Sequence, residues 1–198
     1  MRKINLNENW ELQANSHNQH LSVSIPASVV HTYLEEGVIE DPFYRDNEEK
    51  GLVVAADDYL FLKTFNVEEV LLNEEHLALV FHGIDTIADI FLNGEKILSV
   101  DNMHRSYEVD VKHLLKQENN QLEGKLYSPL NYIQEKQTEN SLPGVSHAVE
   151  GYQHLRKAHS MFGWDWGPKI PDLGIWKDVE LIAWSHQRIE DVYISQLH

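Results

Sequence analysis

Two tryptophans flank one aspartate in the run Phe162-Gly163-Trp164-Asp165-Trp166-Gly167-Pro168. This combination suits a sugar: an indole face packs on the apolar C–H face of a pyranose, and a carboxylate accepts paired hydrogen bonds from neighbouring hydroxyls. Gly163 and Gly167 let the backbone turn tightly and Pro168 stiffens the exit, which predicts a loop that presents Asp165 outward. The same residue types also serve in a core, with Trp164 and Trp166 covering one end of a domain and Asp165 satisfied by loop amides. Spacing alone does not separate the two readings.

Other reactive groups organise less well. The adjacent carboxylates Glu35-Glu36, Glu48-Glu49 and Asp57-Asp58 read as solvated pairs, so no acid/base pair is expected within the chain. Twelve histidines include His147, His154 and His159 close to the aromatic run, but their spacing fits no compact zinc motif and no cysteine assists. They read as surface residues, and neither a metal nor a cofactor is expected. A G-x-S-x-G elbow and a Gly-rich phosphate loop are absent from the sequence.

Elements that could hold such a loop are mostly strands. Strand patterns run from Ile4 to Leu12, Leu60 to Val67, His76 to His82 (with Leu77, Leu79 and Phe81 on one face), Arg105 to Val111, Gln121 to Tyr127 and Trp176 to Trp184. The clearest local signal is Ile87–Leu92, Asn93-Gly94, Glu95–Leu98, a hairpin whose Asn-Gly supplies the two positive-φ residues of a type I′ turn. Ser28 predicts the cap of a short helix ending near Gly37, and Pro129 to Lys136 predicts another. Without regular alternation of strand and helix, a parallel α/β sheet is disfavoured. The predicted fold is all-β: an antiparallel jelly-roll sandwich with a few short helices. The stretches Glu35–Asp58 and Glu139–Lys169 lack periodicity and read as long loops, where binding residues concentrate.

The 198 residues are enough for one well-cored domain, and 42% apolar with 10% aromatic residues argues against disorder. A formal net charge of −16 repels nucleic acid and anionic lipid surfaces, so neither partner is expected. The lack of cysteine excludes a disulfide framework. No stretch approaches the roughly 18 apolar residues of a membrane span. A cytoplasmic protein is expected, although a chain from which a signal peptide had been cleaved would read the same.

The run Arg156 to Leu181, RKAHSMFGWDWGPKIPDLGIWKDVEL, resembles the signature stretch of β-mannosidases of glycoside hydrolase family 2. Asn9-Trp10 with Leu12, Asp41-Pro42-Phe43-Tyr44 with Asn47-Glu48, Gly83-Ile84-Asp85-Thr86, Leu92-Asn93-Gly94, Asp101-Asn102-Met103 and Ser128-Pro129 are similar to other family motifs, in the same order. The likeness spans nearly the whole chain. It departs at Leu52-Val53-Val54 and Asp57-Asp58-Tyr59, where the family usually carries tryptophans.

The resemblance implies the galactose-binding-like N-terminal sandwich of a retaining exo-β-mannosidase acting on terminal non-reducing β-D-mannose. In that family two glutamates, about 5 Å apart, act from a (β/α)₈ barrel of about 250 residues that follows an immunoglobulin-like domain. No catalytic residue is therefore expected here, and the fragment is expected to be inactive. Trp164 and Asp165 are implied as part of the terminal-mannose subsite, with Asp165 accepting hydroxyl hydrogen bonds and Trp164 shaping the wall. Arg156, Lys157 and Trp166 are assigned to loop support and packing, as is Trp176. Residues 1–185 are read as the sandwich, and 186–198 as a linker plus the first strand of the next domain. The implied partners are β-mannosides or manno-oligosaccharides and the downstream domains of the same chain. Competing readings are a free-standing carbohydrate-binding module, a structural spacer, and the equivalent domain of a β-galactosidase or β-glucuronidase.

Overall fold

A computed structural model describes residues 1–16 and 19–197. In chain order the elements are β1 (Arg2–Asn5), β2 (Trp10–Ala14), β3 (His20–Val23), α1 (Val29–Glu35), α2 (Glu48–Ala55), β4 (Tyr59–Phe65), α3 (Glu69–Leu72), β5 (His76–Phe81) and β6 (Ile87–Leu92). They continue with β7 (Glu95–Asp101), β8 (Tyr107–Asp110), β9 (Asn120–Leu126), α4 (Pro129–Glu139), β10 (Phe162–Trp164), β11 (Gly167–Lys169) and β12 (Val179–Trp184). A six-stranded sheet runs β3-β2-β4-β9-β6-β7, a four-stranded sheet runs β1-β12-β5-β8, and β10-β11 form a separate hairpin. Every strand pair is antiparallel.

The two large sheets face each other across one core, because alternate residues of each turn inward. Leu12, Phe61, Ile90, Leu122 and Leu126 of the large sheet meet Leu77, Leu79, Phe81, Val179 and Leu181 of the small one. The predicted all-β antiparallel sandwich is the observed fold. Strands β5 and β12 also bury their outer faces: Ala78, Val80 and Ile182 form a small second cluster with Trp184. Ile182 thus lies across the sheet from Val179 and Leu181. Over that cluster, the Arg188 guanidinium stacks 4.3 Å from the Trp184 ring and pairs with Glu108 of β8 at 2.8 Å.

The Asn-Gly hairpin forms as expected, with φ of 53° at Asn93 and 85° at Gly94. Asn93 also locks the turn to β9 by accepting from the Gln121 amide at 2.9 Å.

Several local expectations are corrected. The pattern from Ile4 to Leu12 is two strands in different sheets, because the chain breaks at Asn9, φ 58°, and crosses over. Strand β3 carries too little apolar signal to be predicted. The stretch Glu35–Asp58 contains α2, which buries Gly51, Val54 and Ala55 while leaving Val53 exposed. Ser28 stands at the N-cap of α1 without a side-chain capping bond; instead Asp172, distant in sequence, accepts from the Val30 amide at 2.9 Å. Ser128 does cap α4, accepting from Asn131 N at 3.1 Å. Residues 187–197 adopt neither helix nor strand, and Ile189, Val192, Tyr193 and Ile194 are exposed. His198, the last residue of the segment read as linker and first strand of the next domain, lies outside the described residues.

Candidate functional site

The aromatic run folds as a hairpin. Phe162 pairs with Lys169 and Trp164 with Gly167, which leaves Asp165 and Trp166 at the turn. Phe162 is fully buried and joins Ile133 and Leu155 in a third apolar cluster, so the base of the hairpin is anchored while its tip projects. Gly163 has φ +95°, a backbone state that an L side chain adopts only with strain, and a Cβ there would lie 2.5 Å from Lys169 Cγ. Gly167 does not take a positive φ, and a Cβ there would meet Trp164 at an ordinary contact distance of 3.8 Å, so neither conformation nor space requires a glycine.

At the tip, Trp164 is 45% exposed and Trp166 81%. Their rings meet edge to face at 5.7 Å, and His147 also packs edge to face with Trp164 at 4.7 Å. Among the described residues the exposed Asp165 carboxylate has neither a hydrogen-bond nor an ion-pair partner. Of the two readings, the one that buries both indoles and satisfies Asp165 with loop amides therefore fails here. Trp166, assigned to loop support and packing, stands at the exposed tip, where its ring neighbour is the Trp164 indole. Trp176 is half-buried, and Lys177 lies 4.4 Å over its ring.

Support comes from both flanks. The Lys169 amide donates to Glu48 Oε2 of α2 at 3.0 Å, and the Val149 amide donates to the Phe162 carbonyl at 2.9 Å. Before the hairpin, Arg156 pairs with Asp101 at 3.1 Å, but both side chains are about two-thirds exposed and the pair contributes little. Its backbone matters more, since the Arg156 carbonyl accepts from Met103 N at 3.0 Å. Lys157 is buried and forms an ion pair with Asp85, which lies between β5 and β6, and its Nζ donates to the Asp172 carbonyl at 2.5 Å. Burial lowers the Lys157 pKa against the opposing pull of Asp85, and burial raises that of Asp172.

The three histidines near the run are not simply surface groups. His147 supports Trp164, His154 Nε2 lies 2.9 Å from Gln137 Oε1, and His159 packs on Tyr152 at 4.8 Å. Among the described residues no cluster of three or more His, Cys, Asp or Glu could hold a metal ion. Two of the carboxylate pairs read as solvated also have structural members: Glu48 of α2, which accepts from the hairpin's Lys169 amide, and Asp58, which accepts from Ser128 N at 2.8 Å.

Residues 10–177 match the family model described as "Glycosyl hydrolase 2 galactose-binding domain-like". The chain belongs to this family. Within it, the chain is similar to the β-mannosidase of Bos taurus, 32% identical over 190 residues that cover 92% of this chain and 22% of the relative. It is likewise similar to the β-mannosidase of Mus musculus, 30% identical over 91% of this chain and 21% of the relative. The crystal structure of β-D-mannosidase from Dictyoglomus thermophilum superposes with a TM-score of 0.90 at 36% identity, covering 98% of this chain and 24% of that one. An exo-chitosanase of Amycolatopsis orientalis shares the fold, at a TM-score of 0.67 and 18% identity. The chain thus spans about a fifth of the curated relatives it matches.

In this galactose-binding-like domain, the hairpin's supports were the part missed from the sequence. Asp85, Asp172, Glu48 and His147 were not singled out for that role. Asp172 carried a signal: one carboxylate inside Lys-Ile-Pro-Asp-Leu-Gly-Ile is surrounded by apolar residues, and a buried carboxylate needs a partner.

Proposed function

We propose that this domain supplies part of the substrate subsite of a retaining exo-β-mannosidase that hydrolyses terminal non-reducing β-D-mannose. Asp165 accepts hydrogen bonds from the sugar hydroxyls and Trp164 forms the adjoining wall, which orients the ring for two glutamates carried by a downstream barrel. One observation carries the reading: a projecting carboxylate with no partner among the described residues, set between two partly exposed indoles on an anchored hairpin. The similarity to proteins named β-mannosidase supports mannose over galactose or glucuronic acid. Residues 186–198 serve as linker and first strand of an immunoglobulin-like domain, whose sheet gives the exposed Ile189, Val192, Tyr193 and Ile194 a place to pack. The cysteine-free sequence is compatible with a cytoplasmic location.

The test is p-nitrophenyl β-mannoside hydrolysis by the full-length protein, with and without Asp165→Ala. A fall of about 100-fold in kcat/KM is expected, equivalent to one or two charge-assisted hydrogen bonds at about 1.5–3 kcal/mol each. The 198-residue chain alone should hydrolyse nothing and bind mannose at about millimolar affinity or weaker, since a closed pocket supplies most sugar contacts. Micromolar binding by the isolated chain would instead favour a free-standing carbohydrate-binding module. A preference for galactosides or glucuronides, or full activity of Asp165→Ala, would refute the assignment.

A further inference from the structure

The segment that carries the hairpin begins and ends at one buried point. Lys157 and Asp172 stand 15 positions apart, yet the Lys157 ammonium donates to the Asp172 carbonyl at 2.5 Å. The same ammonium forms an ion pair with the Asp85 carboxylate, and the two side chains are 0% and 5% exposed. Asp85 is itself fixed, because its backbone exchanges two hydrogen bonds with Gly174, Asp85 N to Gly174 O at 2.8 Å and Gly174 N to Asp85 O at 2.9 Å. Asp172 is fixed in turn: its Oδ1 accepts from Val30 N at 2.9 Å and from Leu173 N at 2.8 Å.

A lysine in such a place is a poor means of stabilising a fold. Taking two charges out of water costs several kcal/mol, and well-packed apolar residues often serve stability as well or better. What an ion pair offers instead is direction, since its ammonium must reach particular oxygens, and here those oxygens belong to the two structures that the loop has to register. One is the sandwich, through Asp85. The other is the far end of the loop itself, through Asp172. Glu48 holds the hairpin from a third side through the Lys169 amide at 3.0 Å.

We propose that Lys157 is a positioning residue for the sugar site: by clasping both ends of the 158–171 loop to Asp85 of the sandwich, it sets where Asp165 stands. This rests on the reading of Asp165 as the group that contacts substrate. Lys157 touches no substrate; it acts through the placement of the hairpin, where a misplacement of about 1 Å is enough to cost about 100-fold in rate.

The experiment is a mutant cycle in the full-length protein. Lys157→Met is combined with Asp85→Asn, so that the ion pair is removed as a unit while the Asp172 carboxylate keeps the Val30 and Leu173 amides, and the pair is introduced both into the native background and into Asp165→Ala. Thermal unfolding checks that each variant is folded, and kcat/KM is measured on p-nitrophenyl β-mannoside. The expected result is a fall of about tenfold or more in the native background and less than about twofold when Asp165 is already absent, because a residue that acts through another has nothing left to act on. An equal fall in both backgrounds would overturn the proposal and make Lys157 a general stabiliser. So would no fall in either background while Asp165→Ala alone remains damaging. If Asp165→Ala has no effect by itself, the substrate-contact reading fails first, and the clasp proposal with it. Should the combined variant not fold, Asp85→Asn alone, which keeps the ammonium and removes its counter-charge, is read in the same two backgrounds with the same criteria.

Discussion

The Lys169 amide donates to Glu48 Oε2 at 3.0 Å, joining the returning strand of the hairpin to the first turn of α2 across 121 positions of sequence. The hairpin is thereby braced by a helix, and the brace is a carboxylate acceptor on a backbone donor.

Glu48→Ala should release that amide while leaving the sandwich intact. Loss of one partly buried charged hydrogen bond costs about 1–2 kcal/mol. Hydrogen exchange at Lys169 should accelerate by at least about tenfold, with core amides of β5 and β9 unchanged. Unaltered exchange at Lys169 would show that α2 does not hold the hairpin.

Gly174→Ala should be the most damaging single methyl in the domain's connections. A Cβ there would lie 2.2 Å from the Ala27 carbonyl oxygen and 2.7 Å from Ser28 Cα, both backbone atoms. The backbone would have to move, at about 1–3 kcal/mol or more, and with it the exchange of hydrogen bonds with Asp85. Gly167→Ala is the control, since its nearest neighbour would be 3.8 Å away. Comparison of the two melting temperatures decides the matter, and similar values would contradict the close approach.

Trp166→Ala should leave stability within about 0.5 kcal/mol, because an 81% exposed side chain has little burial to lose. A loss above about 2 kcal/mol in thermal unfolding would restore the packing role that composition suggested.

Acid should weaken the edge of the four-stranded sheet. Glu180 hydrogen-bonds with His82, the largest cause, and with Lys3, and these hold its carboxyl below the ordinary value of 4.5. A depressed folded pKa means that its contribution is full above the unfolded value near 4.5 and is lost as pH falls through the folded one. The group is partly solvated, so the contribution is below about 1 kcal/mol. Glu180→Gln should therefore melt slightly below the native chain at pH 7, and the gap should close on acidification below 4.5. A gap that widened instead would reverse the sign of the linkage.

The fold was legible wherever local chemistry and burial agreed. Asn93-Gly94 admits one tight turn, and Leu77, Leu79 and Phe81 share a face because a strand alternates. Legibility failed where tertiary contacts supply what the local sequence lacks. Strand β3 exists because β2 pairs with it, and α1 is capped by Asp172 rather than by its own Ser28. The Trp-Asp-Trp run could be seen, but whether its indoles were buried could not, since that depends on which end of the hairpin Phe162 anchors. The clasp of Lys157, Asp85 and Asp172 joins three distant segments, and periodicity carries no trace of such a meeting.

The uneven burial of the five tryptophans gives the domain an optical property. Trp10 is 2% exposed in the core, whereas Trp164 and Trp166 stand at the hairpin tip, 45% and 81% exposed. Solvent-facing indoles emit at longer wavelength and meet dissolved quenchers that a buried one does not. The red edge of the intrinsic fluorescence therefore belongs largely to the hairpin tip, and a neutral quencher such as acrylamide should address that edge first. Any event that covers the tip, whether a sugar or a neighbouring domain, becomes readable without a label.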